Sequence, residues 1–342
     1  MVAEQVLATG KADLISMGRQ SLSDPFTPNK AMEGRFDEIR TCIACHQGCV
    51  GKLMKNQPIE CILNPTVGKE YCTEIKRADQ IKNVAVVGAG PAGLEAAIIA
   101  AQRGHNITVF ERSSHVGGQL RLAAIPPSKG EIAGYIAWQM NELKKLNVEV
   151  ITNAEVNDMF FDDKNFDEII IATGADPIIP SKIPGINSSN VVSANDVLSG
   201  AVNVGLNIVV IGGGQVGTEV ANHLGVQLKN VSVIEMREGL ALEEEIVPRW
   251  GLLSDLVKNK VNQFTDTAVT EITENSVKIV KANEEMELPA DAVVIAIGSK
   301  SNNRLAEELK GKNYRVNVIG DALKVGQAGK AIGEGFIIGN GI

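Results

Sequence analysis

Apolar and polar positions follow one pattern that occurs twice along the chain. The stretch NVAVVGAGPAGLEAAIIAAQRGHNITVFER at 83–112 is echoed by NIVVIGGGQVGTEVANHLGVQLKNVSVIEMR at 207–237. Each begins with a short β-branched run, passes through a glycine-rich turn into a helical stretch, and ends on a second β-branched run closed by glutamate. Both predict a strand–helix–strand unit. Each unit leads to a further apolar run followed by glycine, FDEIIIATGADP in the first case and ADAVVIAIGSK in the second. Near the C-terminus YRVNVIGDA predicts one more strand and turn before an Ala/Gly-rich stretch. The fold class expected is α/β, with two Rossmann-like domains and the second inserted in the first. The first domain is assigned to 81–180 plus 299–342 and the second to 181–298. Residues 1–80 stand outside this scheme. GKADLISMGRQSLSDPF reads as a strand and loop, the segment 41–80 as irregular, and NPTVGKEY as the lead into a charged linker.

The glycine spacing adds chemistry to the pattern. Gly88 permits a tight turn, Gly90 lets the backbone approach a pyrophosphate, and Gly93 allows the helix to pack close to the strand, with Ala92 inside the same loop. Glu111, beside Arg112, ends the second strand where an adenosine ribose would be held. A lone GxGxxG also occurs in ordinary surface turns. The strand before, the helix after and the acid at the right distance favour dinucleotide binding. In the second unit Gly212, Gly214 and Gly217 take the same places and Glu235 the acidic one. A carboxylate there favours NADH over NADPH, although Arg237 stands close enough to keep NADPH as the alternative. A unit retained only for packing would have had no need to keep all three glycines.

Composition narrows the class. The chain has 342 residues, 44% of them hydrophobic and 22% charged, with a net charge of −8. That length suits two or three domains. No apolar run approaches a membrane span, and the N-terminus lacks the apolar core of a signal peptide. The expected compartment is the cytoplasm, and the negative charge disfavours nucleic acid and anionic membranes as partners. Four of five cysteines, Cys42, Cys45, Cys49 and Cys61, fall within twenty residues, separated by two, three and eleven residues. In a reducing compartment such clustering favours metal ligation over disulfides. Four thiolates suit a tetrahedral zinc or an iron–sulfur cubane, and the spacing leaves both open. Cys72 reads as a free thiol, and His46 as a neighbour of the ligands rather than one of them.

The paired units, with ATG (Thr173, Gly174) after the first and GD (Gly320, Asp321) at the end, resemble the flavoproteins with two dinucleotide-binding domains. The resemblance implies FAD in the first domain, NAD(P)H in the second, and Asp321 near the flavin ribityl chain. GGQLRLA, with Gly118, Gln119 and Arg121, resembles the flavin-side loop of that family. Gly298 closes the corresponding turn of the second domain. A flavin next to the cysteines shifts their reading towards a redox-active [4Fe-4S] cluster.

One resemblance covers the chain from end to end. GKADLISMGRQSLSDPFTPNKAMEG, then CIACHQGC and CILNPTVGKE, then the first fingerprint, is similar to the C-terminal half of the 2,4-dienoyl-CoA reductase and 2-enoate reductase family. These are old-yellow-enzyme-like iron–sulfur flavoproteins, with trimethylamine dehydrogenase as a more distant relative. The resemblance implies a (β/α)₈ barrel carrying FMN, then the cluster, FAD and a pyridine-nucleotide domain, together reducing activated C=C bonds. The four cysteines would be the cluster ligands. Such a barrel takes roughly 250 residues, yet about 40 precede the first cysteine. Residues 1–40 therefore resemble only a barrel's C-terminal remnant, with Arg19 at the family's FMN-phosphate contact. FMN is not expected to be held by this chain alone, and no catalytic acid is assigned to it. A strand without barrel neighbours exposes its edge, so the segment is expected to be rearranged, mobile or covered by another chain. The expected role is the electron-delivery half of an ene-reductase, serving a barrel in cis or in trans. The alternatives are a stand-alone diaphorase or electron-transfer subunit, and a non-catalytic fragment with structural zinc.

Overall fold

The computed structural model describes residues 2–342. The N-terminal segment is helical: α1 Val2–Ala8, α2 Gly18–Ser23 and α3 Thr27–Met32. The strand expected around ADLISMGR does not form. Residues 11–17 pair with no other strand, and the chain enters α2 at Gly18. A strand needs a neighbour to take its backbone groups, and these residues have none. α1 buries no residue, whereas the later part of the segment is anchored. Asp24, 3% exposed, accepts hydrogen bonds from the Phe26 and Arg40 amides and from Lys30 Nζ at 3.1, 3.0 and 2.7 Å. Burial alone would raise its pKa, but these donors hold it below the usual carboxylate range. Trp138 Nε1 and Asn141 Nδ2 then donate to the carbonyls of Glu38 and Asp37, docking residues 37–40 on the following domain. α4 Val50–Met54 completes the cysteine segment.

The first α/β unit contains β1 Asn83–Val87, α5 Pro91–Gln102, β2 Asn106–Phe110, α6 Gln119–Ala123, α7 Glu131–Lys145, β3 Glu149–Ile151, β4 Glu168–Ile171 and β5 Ala175–Pro177. The second contains β6 Val191–Ser193, α8 Ala194–Ser199, β7 Asn207–Ile211, α9 Gln215–Val226, β8 Asn230–Ile234, α10 Ile246–Lys258 and β9 Asn262–Phe264. An antiparallel sheet of β10 Thr267–Ile272, β11 Ser276–Lys281 and β12 Glu284–Pro289 follows, then β13 Ala292–Ile295 and β14 Ser299–Ser301. The chain ends with α11 Arg304–Glu308, β15 Arg315–Val318 and α12 Ala328–Gly341.

Both main sheets are parallel and share one order. The first runs β15-β4-β1-β2-β3 and the second β6-β13-β7-β8-β9. They differ only in the origin of the edge strand beside β4 and β13. In the first sheet it comes from beyond the second unit, and in the second from just before it. β5 and β14 pair antiparallel where the chain crosses between the units. Central strands such as β4 and β13 are buried along their whole length, which is why EIII and AVVI lack the alternation of a half-exposed strand.

α12 packs lengthwise on α5 through two glycines. A Cβ at Gly335 would lie 2.3 Å from the Ala92 carbonyl oxygen, and one at Gly339 would lie 2.7 Å from that of Ala96. Alanine at 335 would gain about 1 kcal/mol of helix propensity, but it must push the helices apart, at about 1–3 kcal/mol. G335A is expected to lower stability to urea unfolding. Unchanged or greater stability would show that the contact between these helices yields freely.

Candidate functional site

The first glycine loop is held open by backbone contacts. Gly88 has φ of 106°, and a Cβ there would sit 2.2 Å from the Ala172 carbonyl oxygen. A Cβ on Gly93 would sit 2.0 Å from the Gly88 carbonyl oxygen, so the helix starts against the strand. Gly90 caps α5 with Pro91 at the first helical position, and its Cβ direction is open space. The free amides of the first turn thus face a place that backbone-seeking phosphate can reach. Glu111, 9% exposed, braces the loop. Its Oε2 accepts the Ala89 amide at 2.9 Å and its Oε1 the Ser113 amide at 2.8 Å.

Distant residues assemble around Gly90. The Gly117 amide donates to the Ala89 carbonyl at 2.7 Å, and a Cβ on Gly118 would stand 3.0 Å from Gly90 Cα. Gln119 Nε2 lies 3.4 Å from Asp321 Oδ2. The Gly320 amide donates to Glu334 at 2.7 Å, and a Cβ on Gly320 would meet Ala92 Cβ at 2.9 Å. Asp321 is half-buried, and burial pushes its carboxyl above the usual range despite a hydrogen bond from the Gly326 amide. The turn at Gly320 thus backs onto the start of α5. Thr173 and Gly174 serve the crossover instead: Thr173 Oγ1 donates to the Asn302 carbonyl at 2.6 Å, and the Asn302 amide donates to Gly174 at 2.9 Å. Gly298 lies across the same crossover and accepts from the Ile178 amide at 3.0 Å. Arg112 and Arg121 are exposed, Arg112 lying 3.8 Å from Asp176.

The second loop repeats the backbone geometry of the first. A Cβ on Gly212 would lie 2.5 Å from the Ala296 carbonyl oxygen, and one on Gly217 would lie 1.9 Å from that of Gly212. Gly214 caps α9. Glu235, 8% exposed, accepts the Gly213 amide at 2.8 Å and the Arg237 amide at 2.9 Å. Burial would raise its pKa, but these amides and the Arg237 guanidinium hold it below the usual carboxylate range. The Ala241 amide closes the loop on Gly213, as Gly117 does on Ala89.

Two ion pairs reach the second unit from the rest of the chain, and sequence reasoning had singled out none of their members. Lys129, just before α7, meets Glu219 of α9 at 2.7 Å, and Lys55 meets Glu245 at 2.8 Å. Glu219 is only 6% exposed. The signal available in the sequence was an acid in the first turns of a helix that buries its neighbours.

Cys42, Cys45, Cys49 and Cys61 line one pocket together with Arg19, His46 and Leu63. All five cysteines are free thiols, and Cys72 is exposed away from this pocket. The Glu60 amide donates to the Gly48 carbonyl, joining the two cysteine stretches, and Gln20 Oε1 accepts the Cys42 amide at 2.9 Å. Ala44 and His46 adopt positive φ of 52° and 61° to turn the segment around the pocket. Burial, with the three neighbouring thiols adding, pushes Cys45 up to about 11. Such a thiol becomes a thiolate only beside a compensating cation, as a metal site supplies. Among the described residues no three His, Cys, Asp or Glu side chains converge as ligands of a single ion. Arg19 spends its guanidinium on His46 Nε2 at 2.8 Å.

Between this pocket and the first loop lies a buried polar island. Leu63, Tyr135 and Ile332 form a small core against Ile43, Cys61 and Trp138. Tyr135 stacks on Trp138 at 5.7 Å, and Arg40 lies over the Trp138 ring at 4.9 Å. Glu95 on α5 is 2% exposed, and its Oε2, Tyr135 OH and Gln139 Oε1 have no hydrogen-bond partner of normal geometry. Burial pushes Glu95 up to about 7, against the opposing charge of Arg40.

A family model for pyridine nucleotide-disulphide oxidoreductases matches residues 82–321. Two parallel-sheet units with braced glycine loops define the nucleotide-binding portion of an NAD(P)H-dependent flavin oxidoreductase. The chain belongs to the pyridine nucleotide-disulphide oxidoreductase family, and within it to the 2-enoate reductase-like flavoproteins. It is 39% identical to an NADH oxidase of Thermoanaerobacter brockii, over 98% of this chain and 52% of that protein. It is 33% identical to a cinnamate reductase of Clostridium sporogenes, over 100% of this chain and 51% of that one. A solved 2-naphthoyl-CoA reductase complex superposes with a TM-score of 0.97 at 33% identity, covering 100% of this chain and 52% of the other. The chain thus spans about half the length of the relatives it matches.

The island carries a pH dependence. Glu95 is protonated more readily in the fold than in the unfolded chain, so its stabilising balance is complete at low pH and is lost as pH rises through about 7. E95Q should match the parent at pH 4, below the unfolded pKa, and exceed it at pH 8, by on the order of 3 kcal/mol. Urea unfolding at the two pH values decides the matter, and a pH-independent difference would assign Glu95 an ordinary titration.

Proposed function

We propose that this chain carries electrons from NADH through FAD to a [4Fe-4S] cluster, as the delivery half of an enzyme that reduces an activated C=C bond at an FMN barrel outside it. The observation that carries the reading is that the cysteine pocket is packed directly on the first nucleotide unit, through Leu63, Tyr135 and Ile332. The sheet order supports residues 81–180 plus 299–342 as the FAD domain and 181–298 as the NAD(P)H domain, since β15 pairs with β4.

Bound FAD would supply a two-electron acceptor for hydride, and a bound cluster a one-electron carrier. Gly88, Gly90 and Gly93 would admit the FAD pyrophosphate to the α5 amides, Glu111 would hold the adenosine ribose, Asp321 would serve the ribityl chain, and Gly118, Gln119 and Arg121 would form the flavin-side loop. Gly212, Gly214, Gly217 and Glu235 do the same for the nicotinamide dinucleotide. Cys42, Cys45, Cys49 and Cys61 hold the cluster. Four thiols lining one pocket are the ligand set that a cubane cluster takes.

The partner is a barrel in cis or in trans. Leu14, Phe26, Met32 and Phe36 are more than half exposed near the N-terminus, an apolar surface of the kind that a covering domain removes from water. In this reading FMN is held by that barrel and not by this chain alone, with Arg19 as the residue of this chain that would reach its phosphate. No described helix is long and apolar enough to cross a membrane, and the net charge of −8 supports neither nucleic acid nor an anionic membrane as a partner. A cytoplasmic setting suits the reduced cysteines.

The test is an anaerobic preparation assayed for flavin and metal, then mixed with NADH. The expected result is FAD with about four irons per chain and loss of both flavin and cluster absorbance on adding NADH. C61S should lose iron and the cluster absorbance yet keep FAD and its bleaching by NADH. Zinc in place of iron would overturn the cluster assignment, and flavin bleaching without any cluster would leave a diaphorase.

A further inference from the structure

The two glycine loops align without a gap from Gly88 to Gln119 and from Gly212 to Glu243. Along that alignment Ala89 matches Gly213, Glu111 matches Glu235, and Gly117 matches Ala241, each pair making the same hydrogen bonds. Among the positions that differ, two change the chemistry at the rim of the loop. Ser113 is replaced by Arg237, and Gln119 by Glu243. In the first unit these two side chains ignore one another: the Ser113 hydroxyl donates to the His115 carbonyl and Gln119 reaches Asp321. In the second unit they join. Arg237 donates through one η nitrogen to both Glu243 oxygens at 3.1 and 3.5 Å, and through Nε to Glu235 Oε1 at 3.2 Å.

The pair sits at the mouth of the nucleotide loop. Glu243 Oε1 lies 3.4 Å from the Cβ position of Gly214, and the Arg237 guanidinium lies 4.0 Å from it. An arginine beside the ribose-binding acid is the group that takes the 2′-phosphate of NADPH in this fold. Here its donors are turned between two carboxylates. A phosphate dianion entering this place would have to displace Glu243 from Arg237 and then stand beside both acids.

We infer that Glu243 is a specificity-determining residue, which holds Arg237 in a closed clamp and so reserves the second nucleotide site for NADH over NADPH. This rests on the reading of the second unit as the NAD(P)H site. Glu243 and not Glu235 is the control point because of what each supports. Glu235 is buried and carries the loop amide of Gly213, so its loss disturbs the site for either nucleotide. Glu243 has a side chain 48% exposed and contacts the site through Arg237 and the rim of Gly214.

The experiment uses the flavin-loaded protein and compares NADH with NADPH, by flavin bleaching rates and by dissociation constants from nucleotide fluorescence. E243Q and E243A are expected to raise the NADPH-to-NADH ratio of kcat/KM about tenfold, the scale of one charge-assisted hydrogen bond gained by the phosphate. Adding R237M to E243Q should abolish that gain, since the freed guanidinium is the receiver. E238Q removes an exposed acid of the same loop that does not touch Arg237, and should leave the ratio where it was. An unchanged ratio in both Glu243 variants overturns the clamp. So does an equal gain in E238Q, or a gain that survives R237M. If NADH itself neither binds nor bleaches the flavin of the parent protein, the NAD(P)H reading fails with it. If NADH works and the ratio stays fixed, the clamp alone fails.

Discussion

In each unit a buried carboxylate holds a glycine loop against the end of its sheet. Glu111 takes the Ala89 amide and Glu235 the Gly213 amide, at 2.9 and 2.8 Å. Each also takes the amide two residues further on. A buried charge is tolerable only when such donors satisfy it, and these donors belong to the loop that must stay open. The requirement for an acid at the strand end and the requirement for a helix start free of side chains are therefore met by one arrangement. Everything around the sites builds on it: the close starts of α5 and α9, the folding back of Gly117 and Ala241, and the approach of the Gly320 turn.

The cysteine segment depends on the first unit in a different way. It has little regular structure of its own and is positioned by its neighbours. Gln20 and Asp24 tie it to the N-terminal helices, and Trp138 on α7 holds its entry. Tyr135 and Leu63 seal it against Ile332 of α12. Burial raises the pKa of the Cys45 and Cys61 thiols. The same burial leaves Glu95 in a place where its charged form is disfavoured. One desolvated layer thus governs two kinds of ionisable group, on the two sides of Tyr135.

The second unit is linked to the remainder by crossover strands and by ion pairs. Lys129–Glu219 and Lys55–Glu245 come from the first α/β unit and the cysteine segment respectively. Glu245, Glu243 and Arg237 all belong to the loop that follows β8, so the surface that meets the rest of the chain is continuous with the rim of the nucleotide loop. Acids in this loop do different work according to whether a lysine, an arginine or water faces them.

The chain pattern by itself determined the two parallel-sheet units, their glycine loops and the acids that end their second strands. These features arise from local backbone demands, positive φ at Gly88 and the close approach of helix to loop at Gly93, which only particular residues meet at particular spacings. The clustering of Cys42, Cys45, Cys49 and Cys61 was legible for the same reason. Tertiary structure alone decided the rest. The ADLISMGR stretch around Leu14 pairs with no other strand, and its own composition could not reveal that. Arg237 could have faced a phosphate or an acid, and the fold of the loop after β8 turned it to Glu243. Glu95, in the middle of an alanine-rich helix, became a buried island with Tyr135 and Gln139 only because α7 and α12 close over it. Side chains acquire such roles from partners far along the chain, and the free energy of those contacts does not exist until the packing does.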